Sequence, residues 1–93
     1  MRRIERTTQF KRDYKRQKKG RYKDELEGVL VEIIDLLVFD DDLPARCFDH
    51  PLIGQWKDFR DCHIKPDLIL IYEKPDFEIL RLVRLGSHSD LGL

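Results

Sequence analysis

The sequence predicts an α+β domain in the order βααβββ, a two-helix hairpin packed on a small, mainly antiparallel sheet. Two observations predict the helices and a third predicts the sheet. Phe10 and Tyr14 recur at i, i+4 within a stretch that is otherwise almost all basic. Leu26, Val29, Leu30, Ile33, Ile34 and Leu37 then repeat at i, i+3, i+4, i+7, the spacing that lines one side of a helix. Beyond residue 55, three strand-like runs are separated by Lys65-Pro66-Asp67 and Lys74-Pro75-Asp76-Phe77, connections too short for a crossover, so consecutive strands form an antiparallel meander. At 93 residues the chain is one domain, 1–93, with one modest core.

Each element has its own signal. Residues Arg2 to Thr7 read as a short first strand. Thr8 is the expected N-cap of the first helix, and Gly20 suits the position just past its end. The second helix is expected from Lys23 to Phe39, with Asp24, Glu25 and Glu27 in its first turn, where the helix dipole favours acids. Asp40, Asp41, Asp42 and then Pro44 end it. The meander strands are expected at Trp56–Ile64, Leu68–Glu73 and Glu78–Leu85. Leu68 to Tyr72 is apolar on both faces, as a central strand must be.

The formal net charge of zero hides an asymmetry. Through Lys23, eleven basic residues face only Glu5 and Asp13, a local charge of +9, and the remainder carries −9. A surface of that sign suits a phosphate backbone or an acidic protein partner. No apolar run approaches the ~20 residues of a membrane span. No apolar segment follows Arg2 and Arg3 as in a signal peptide, so a cytoplasmic protein is expected. Cys47 and Cys62 are not in a C-x-x-C pair, and reduced thiols are expected there.

The candidate chemistry lies with the three histidines. His63 sits near the end of the first meander strand and Asp67 just across the Pro turn, so the two are expected to lie close. A carboxylate beside an imidazole fixes its tautomer and suits acid–base work, although the same pair can merely close a turn. On that strand Lys57, Phe59, Asp61, His63 and Lys65 are expected on one side, and Trp56, Asp58, Arg60, Cys62 and Ile64 on the other. His50 lies in a loop before Pro51, and His88 follows Gly86-Ser87 at the end of the last strand. Arg81 and Arg84 fall on opposite faces of that strand. Arg84, nearer His88, is the expected phosphate-binding arginine, since a guanidinium holds two phosphate oxygens. The histidines and Asp67 show none of the H-x-x-x-H or H-E-x-x-H spacings of zinc sites, so no metal is expected.

Asp49-His50-Pro51-Leu52, Gly54-Gln55-Trp56-Lys57, Phe59 to Asp67, Leu70-Ile71-Tyr72 and Arg84 to Leu91 occur here in one order. Together they resemble the YafQ-type toxins of the RelE/ParE superfamily of bacterial toxin–antitoxin systems. The motif-bearing match covers about the last half of the chain, and the βααβββ order is also that family's. The resemblance implies a ribosome-dependent endoribonuclease that cuts mRNA in the A site by metal-free acid–base catalysis, without a cofactor. It implies catalytic roles for His50, His63, Asp67 and His88. His88 is the expected principal proton-transfer group, and Asp67 is expected to tune His63 or assist proton transfer. Arg84, Arg60, Lys57, Lys65, Lys11, Lys15, Lys18 and Lys19 are the expected phosphate- and RNA-binding set. The partners implied are a DinJ/RelB-like antitoxin, the ribosome and mRNA, with operator DNA bound only as the toxin–antitoxin complex and no membrane.

One departure stands out. In this family the C-terminal histidine is typically followed, a few residues on, by Leu-Phe, whereas here Leu91 is followed by Gly92 and Leu93. An aromatic there offers a stacking platform for a base, and glycine offers none. Three readings follow: another aromatic serves, the tail is altered, or activity is weakened. The alternative function is a ParE-like or degenerate toxin that inhibits by binding without cutting RNA.

Overall fold

In the computed structural model, which describes residues 1–93, the chain runs β1 (Arg3–Arg6), α1 (Thr8–Gln17), α2 (Leu26–Val38), β2 (His50–Pro51), β3 (Arg60–Lys65), β4 (Leu68–Glu73), β5 (Ile79–Gly86) and α3 (His88–Leu91). The strands form one sheet in the order β1-β5-β4-β3-β2. β3, β4 and β5 make the expected antiparallel meander. β1 returns beside β5 in parallel, with Ile4 opposite Leu80, an arrangement open to it because two helices and three strands intervene.

β4 is the middle strand and is apolar on both sides for that reason. Leu68, Leu70 and Tyr72 point into the main core with Leu80, Leu82 and Leu85 of β5 and Phe10, Leu26, Leu30, Ile33 and Leu37 of the helices. Each fully buried Leu or Ile there stabilises the fold by roughly 1.5–3 kcal/mol. Ile69 and Ile71 point to the opposite face. Cys47 and Cys62 are free and buried, and burial pushes both thiols up.

Three boundaries differ from expectation. Thr7, not Thr8, caps α1, its hydroxyl accepting from the Phe10 N–H at 3.0 Å and donating to the Val83 carbonyl at 2.7 Å. α2 starts at Leu26, because Lys23, Glu25 and Leu26 donate to Gly20 and Tyr22 carbonyls in successive turns. Asp24 and Glu25 therefore precede the helix, and only Glu27 lies in its first turn. Trp56 to Phe59 are not strand, since Gly54, with φ of 68°, opens a 3₁₀ turn over Gly54–Trp56. The face alternation expected for Trp56, Lys57, Asp58 and Phe59 does not apply there, and it holds from Asp61 to His63. Two small elements carry no strong sequence period: the two-residue β2 and the one-turn α3.

Candidate active site

The sheet has a helix-covered face and an open face, and the histidines gather on the open one. His50 is opposite Asp61, Asp61 opposite Ile71, and His63 opposite Ile69. Directly opposed residues share a face, so His50, Asp61 and His63 stand on the side of Ile69 and Ile71. Those two isoleucines, with Leu91 and the half-buried Leu52, Trp56, Phe59 and Val83, make a small apolar pad. α3 folds back from β5 onto this pad through Leu91, which brings the His88 ring edge-on to His63, with centroids 5.4 Å apart at 78°.

Two devices hold α3 in place. Ser87 Oγ accepts from the Asp90 N–H at 3.0 Å, and Asp90 Oδ2 accepts from the Ser87 N–H at 3.1 Å, a reciprocal capping box. Gly86 permits the tight reversal, because a Cβ there would lie 3.0 Å from Asp90 Cβ and 3.1 Å from its Oδ2.

Asp67 fixes His88 rather than His63, which corrects the expected pairing. Its Oδ1 accepts the His88 backbone N–H at 2.9 Å and lies 2.7 Å from the His88 Nδ1. The register shift between His63 and Lys65 and the left-handed backbone of Asp67, φ 56°, carry the turn across toward α3. The backbone N–H of His88, then its ring, hold the Asp67 carboxyl below its usual range. With Nδ1 held by Asp67, Nε2 is the His88 ring nitrogen left without a partner in the protein.

His50 is held differently. Its Nδ1 lies 2.7 Å from the Phe48 carbonyl and 3.0 Å from Asp61 Oδ1. The ring hydrogen bond is with the carbonyl, which leaves Asp61 Oδ1 buried without an aligned partner. Burial pushes the Asp61 carboxyl up, while His50, His63 and His88 pull it down. Asp61 thus places a carboxylate beneath the histidines. The signal that finds it is strand alternation, which puts Asp61 on the His63 face.

The expected cations fall into three groups. Arg84 is tied to Asp13 of α1, donating from Nε to Oδ2 at 2.7 Å and from Nη2 to Oδ1 at 3.2 Å. Asp13 is 1% exposed and also accepts the Leu85 N–H at 3.0 Å and Arg16 Nη2 at 3.1 Å. The guanidinium read as a phosphate holder therefore has its first ligand inside the protein, leaving Nη1. Arg60 is likewise paired, through Nη2 to Asp49 Oδ2 at 3.2 Å, and the buried Tyr72 hydroxyl donates to the same carboxylate. Lys65 lies 3.5 Å from Glu25. Lys11, Lys15, Lys18, Lys19 and Lys57 are exposed, with the Lys18 ammonium over the Tyr14 ring at 5.5 Å. α1 is joined to the site by Arg16, whose Nη2 reaches within 3.8 Å of Asp90, so its basic surface is continuous with α3. No three His, Cys, Asp or Glu side chains converge to hold a metal ion.

The chain has known relatives. The family model of the YafQ bacterial toxin of type II toxin–antitoxin systems matches residues 2–92. The mRNA interferase toxin YafQ of Escherichia coli K12 is 43% identical over 95% of this chain and 92% of its own. The crystal structure of YafQ from E. coli BL21(DE3) superposes with a TM-score of 0.84 at 38% identity, covering 98% of both chains. The toxin in the E. coli DinJ–YafQ toxin–antitoxin complex gives 0.82 at 40% identity, covering 97% of this chain and 96% of that one. The chain, with its open-face histidines and α3 closing over them, belongs to the YafQ family of type II toxin–antitoxin toxins.

Proposed function

We propose that this toxin is an mRNA interferase, an endoribonuclease that cuts mRNA in the ribosomal A site and is silenced by a DinJ-like antitoxin. The observation that carries the reading is the His63–His88 pair on the open face, with His88 oriented by Asp67. Cleavage of RNA by its own 2′-OH needs a base, an acid and cations. The 2′-oxygen gives its proton to the base and bonds to phosphorus. The P–O5′ bond breaks, and the 5′-oxygen takes a proton from the acid. The products are a 2′,3′-cyclic phosphate and a 5′-hydroxyl. Paired imidazoles supply both proton transfers, each worth roughly 10²–10⁴-fold.

His88 is the principal proton-transfer group through Nε2, and Asp67 holds its tautomer. His63 and His50 share the base and positioning roles. The phosphorane charge is met by Arg84 through Nη1 and by Lys65 at the end of the strand that carries His63, while Lys57, in the turn before that strand, and Arg60, on its opposite face beside Tyr72, serve flanking RNA. Lys11, Lys15, Lys18 and Lys19 spread positive charge along α1 for ribosomal RNA. The same surface takes the acidic segment of an antitoxin, and operator DNA is bound by that complex. No helix is long and apolar enough to cross a membrane, and the site of action is the cytoplasm, where ribosomes are.

The test is cleavage of one defined mRNA, free and in programmed ribosomes, with the ends of the products mapped. A-site cuts bearing 2′,3′-cyclic phosphate only with ribosomes support the reading. Ribosome binding without any cut would overturn it in favour of inhibition by occupancy.

A further inference from the structure

We propose that Phe48 is the stacking platform for an RNA base at this site; the proposal rests on the endoribonuclease reading above. Phe48 is 65% exposed, an unusual position for a large apolar ring. It contributes to neither apolar cluster of the protein. Its ring lies instead against the site, 4.7 Å from the His50 ring and 6.0 Å, edge-on, from His63. Its backbone is left-handed, with φ 47° and ψ 49°, a conformation that disfavours a bulky residue. That conformation closes the 3₁₀ turn Ala45–Cys47, whose Cys47 is buried in the main core, so the ring is held on a fixed base. The Phe48 carbonyl also meets His50 Nδ1 at 2.7 Å, coupling ring and histidine in one unit.

An exposed π-face beside two proton-transfer groups fits a nucleobase, because every base can stack and the contact needs no hydrogen-bond match. The other end of the histidine row offers nothing equivalent, since α3 is followed by Gly92 and Leu93. Beyond His63 lies a cleft of about 470 Å³ lined by Val29, Glu32, Ile33, Arg46, Lys65 and Pro66, where Arg46 lies 3.5 Å from Glu32 and Lys65 lies 3.5 Å from Glu25. A strand stacked on Phe48 passes His63 on the way to this cleft.

The test compares Phe48→Leu, Phe48→Ala and Phe48→Trp with the wild-type chain on programmed ribosomes, using mRNA carrying 2-aminopurine in the A-site codon and 2′-O-methyl riboses to prevent cutting. Stacking changes 2-aminopurine emission, a signal that a purely structural role would leave in place. Expected are a stacking signal with wild type and Phe48→Trp, its loss with Phe48→Leu and Phe48→Ala, and a fall of about 5- to 150-fold in cleavage of the unmodified message by those two. Leucine keeps apolar bulk, so wild-type signal and rate in Phe48→Leu would overturn the proposal. Failure of the wild-type chain to cut at all would overturn the underlying nuclease reading instead. Because Phe48 is mostly outside the core, the variants are expected to keep the wild-type circular dichroism and Tm.

Discussion

Asp67 grips His88 twice through one oxygen, on the backbone N–H at 2.9 Å and at ring Nδ1 at 2.7 Å. One carboxylate thereby docks α3 and occupies one ring nitrogen of the histidine, leaving Nε2 as the other. Removing it should cost both position and tautomer. His88→Ala is expected to lower single-turnover cleavage by roughly 10²–10⁴-fold. Asp67→Asn should fall between that variant and wild type, because the amide oxygen still accepts the N–H but lacks the charge. Equal rates for Asp67→Asn and wild type would separate Asp67 from the chemistry.

α3 should loosen in acid before the sheet does. Asp67 is held low by the His88 N–H and ring, and Asp90 by the Ser87 N–H. Carboxyls whose folded values are depressed favour the folded state when ionised. That contribution is complete above their unfolded value of about 4 and is lost as pH falls through the depressed values. Both groups are exposed, so salt weakens the effect. Amide exchange across that range should show the α3 amides losing protection ahead of those in β4. Simultaneous loss would contradict this.

Asp13 is the buried anchor between α1 and β5. Asp13→Ala leaves Arg84 without its counter-charge and the Leu85 N–H without an acceptor. Breaking a buried pair from one side costs about 3–5 kcal/mol. Thermal melts should fall by at least about 12 °C, using about 4 °C per kcal/mol for a domain this size. A fall of under about 4 °C would mean that Arg84 finds water instead.

Gly86 tests geometry without removing a polar site group. In Gly86→Ala the new methyl meets Asp90 at 3.0–3.1 Å, so α3 must shift and carry His88 away from His63. Cleavage is expected to fall at least about ten-fold, since small misplacements at a reacting centre are costly. The His88 ring proton resonances should move, while the core, which holds no part of α3 except Leu91 on the opposite face, melts nearly as in wild type. Unchanged resonances and rate would show that α3 has room to adapt.

The large elements were legible because their periods are long. α2 repeats its apolar stripe over three turns, and β4 is apolar on both faces because it lies mid-sheet. The open face was half legible. Alternation on β3 puts Asp61 on the face of His63, but nothing in a spacing reveals that the Lys65-Pro66-Asp67 turn bends toward α3, so spacing points Asp67 at His63 where the structure sets it against His88. α3 has only four residues, too few for a hydrophobic period, although Ser87-His88-Ser89-Asp90 carries the S-x-x-D signature of a capping box. The Arg84–Asp13 pair spans 71 positions, and no local pattern connects residues that far apart. Phe48 escapes for the opposite reason: a lone aromatic in a loop has no pattern until its ring is seen against His50 and His63.

The most direct test of the central claim is primer extension on a defined mRNA in purified programmed ribosomes, comparing this chain with His88→Ala, each with and without 1,10-phenanthroline, which removes transition metals and leaves the Mg2+ that holds the ribosome together. The account predicts a cut in the A site that needs the ribosome, survives the chelator and is lost in the variant. A cut of equal strength in His88→Ala, or one abolished by the chelator, would contradict a histidine-driven mechanism that uses no transition metal.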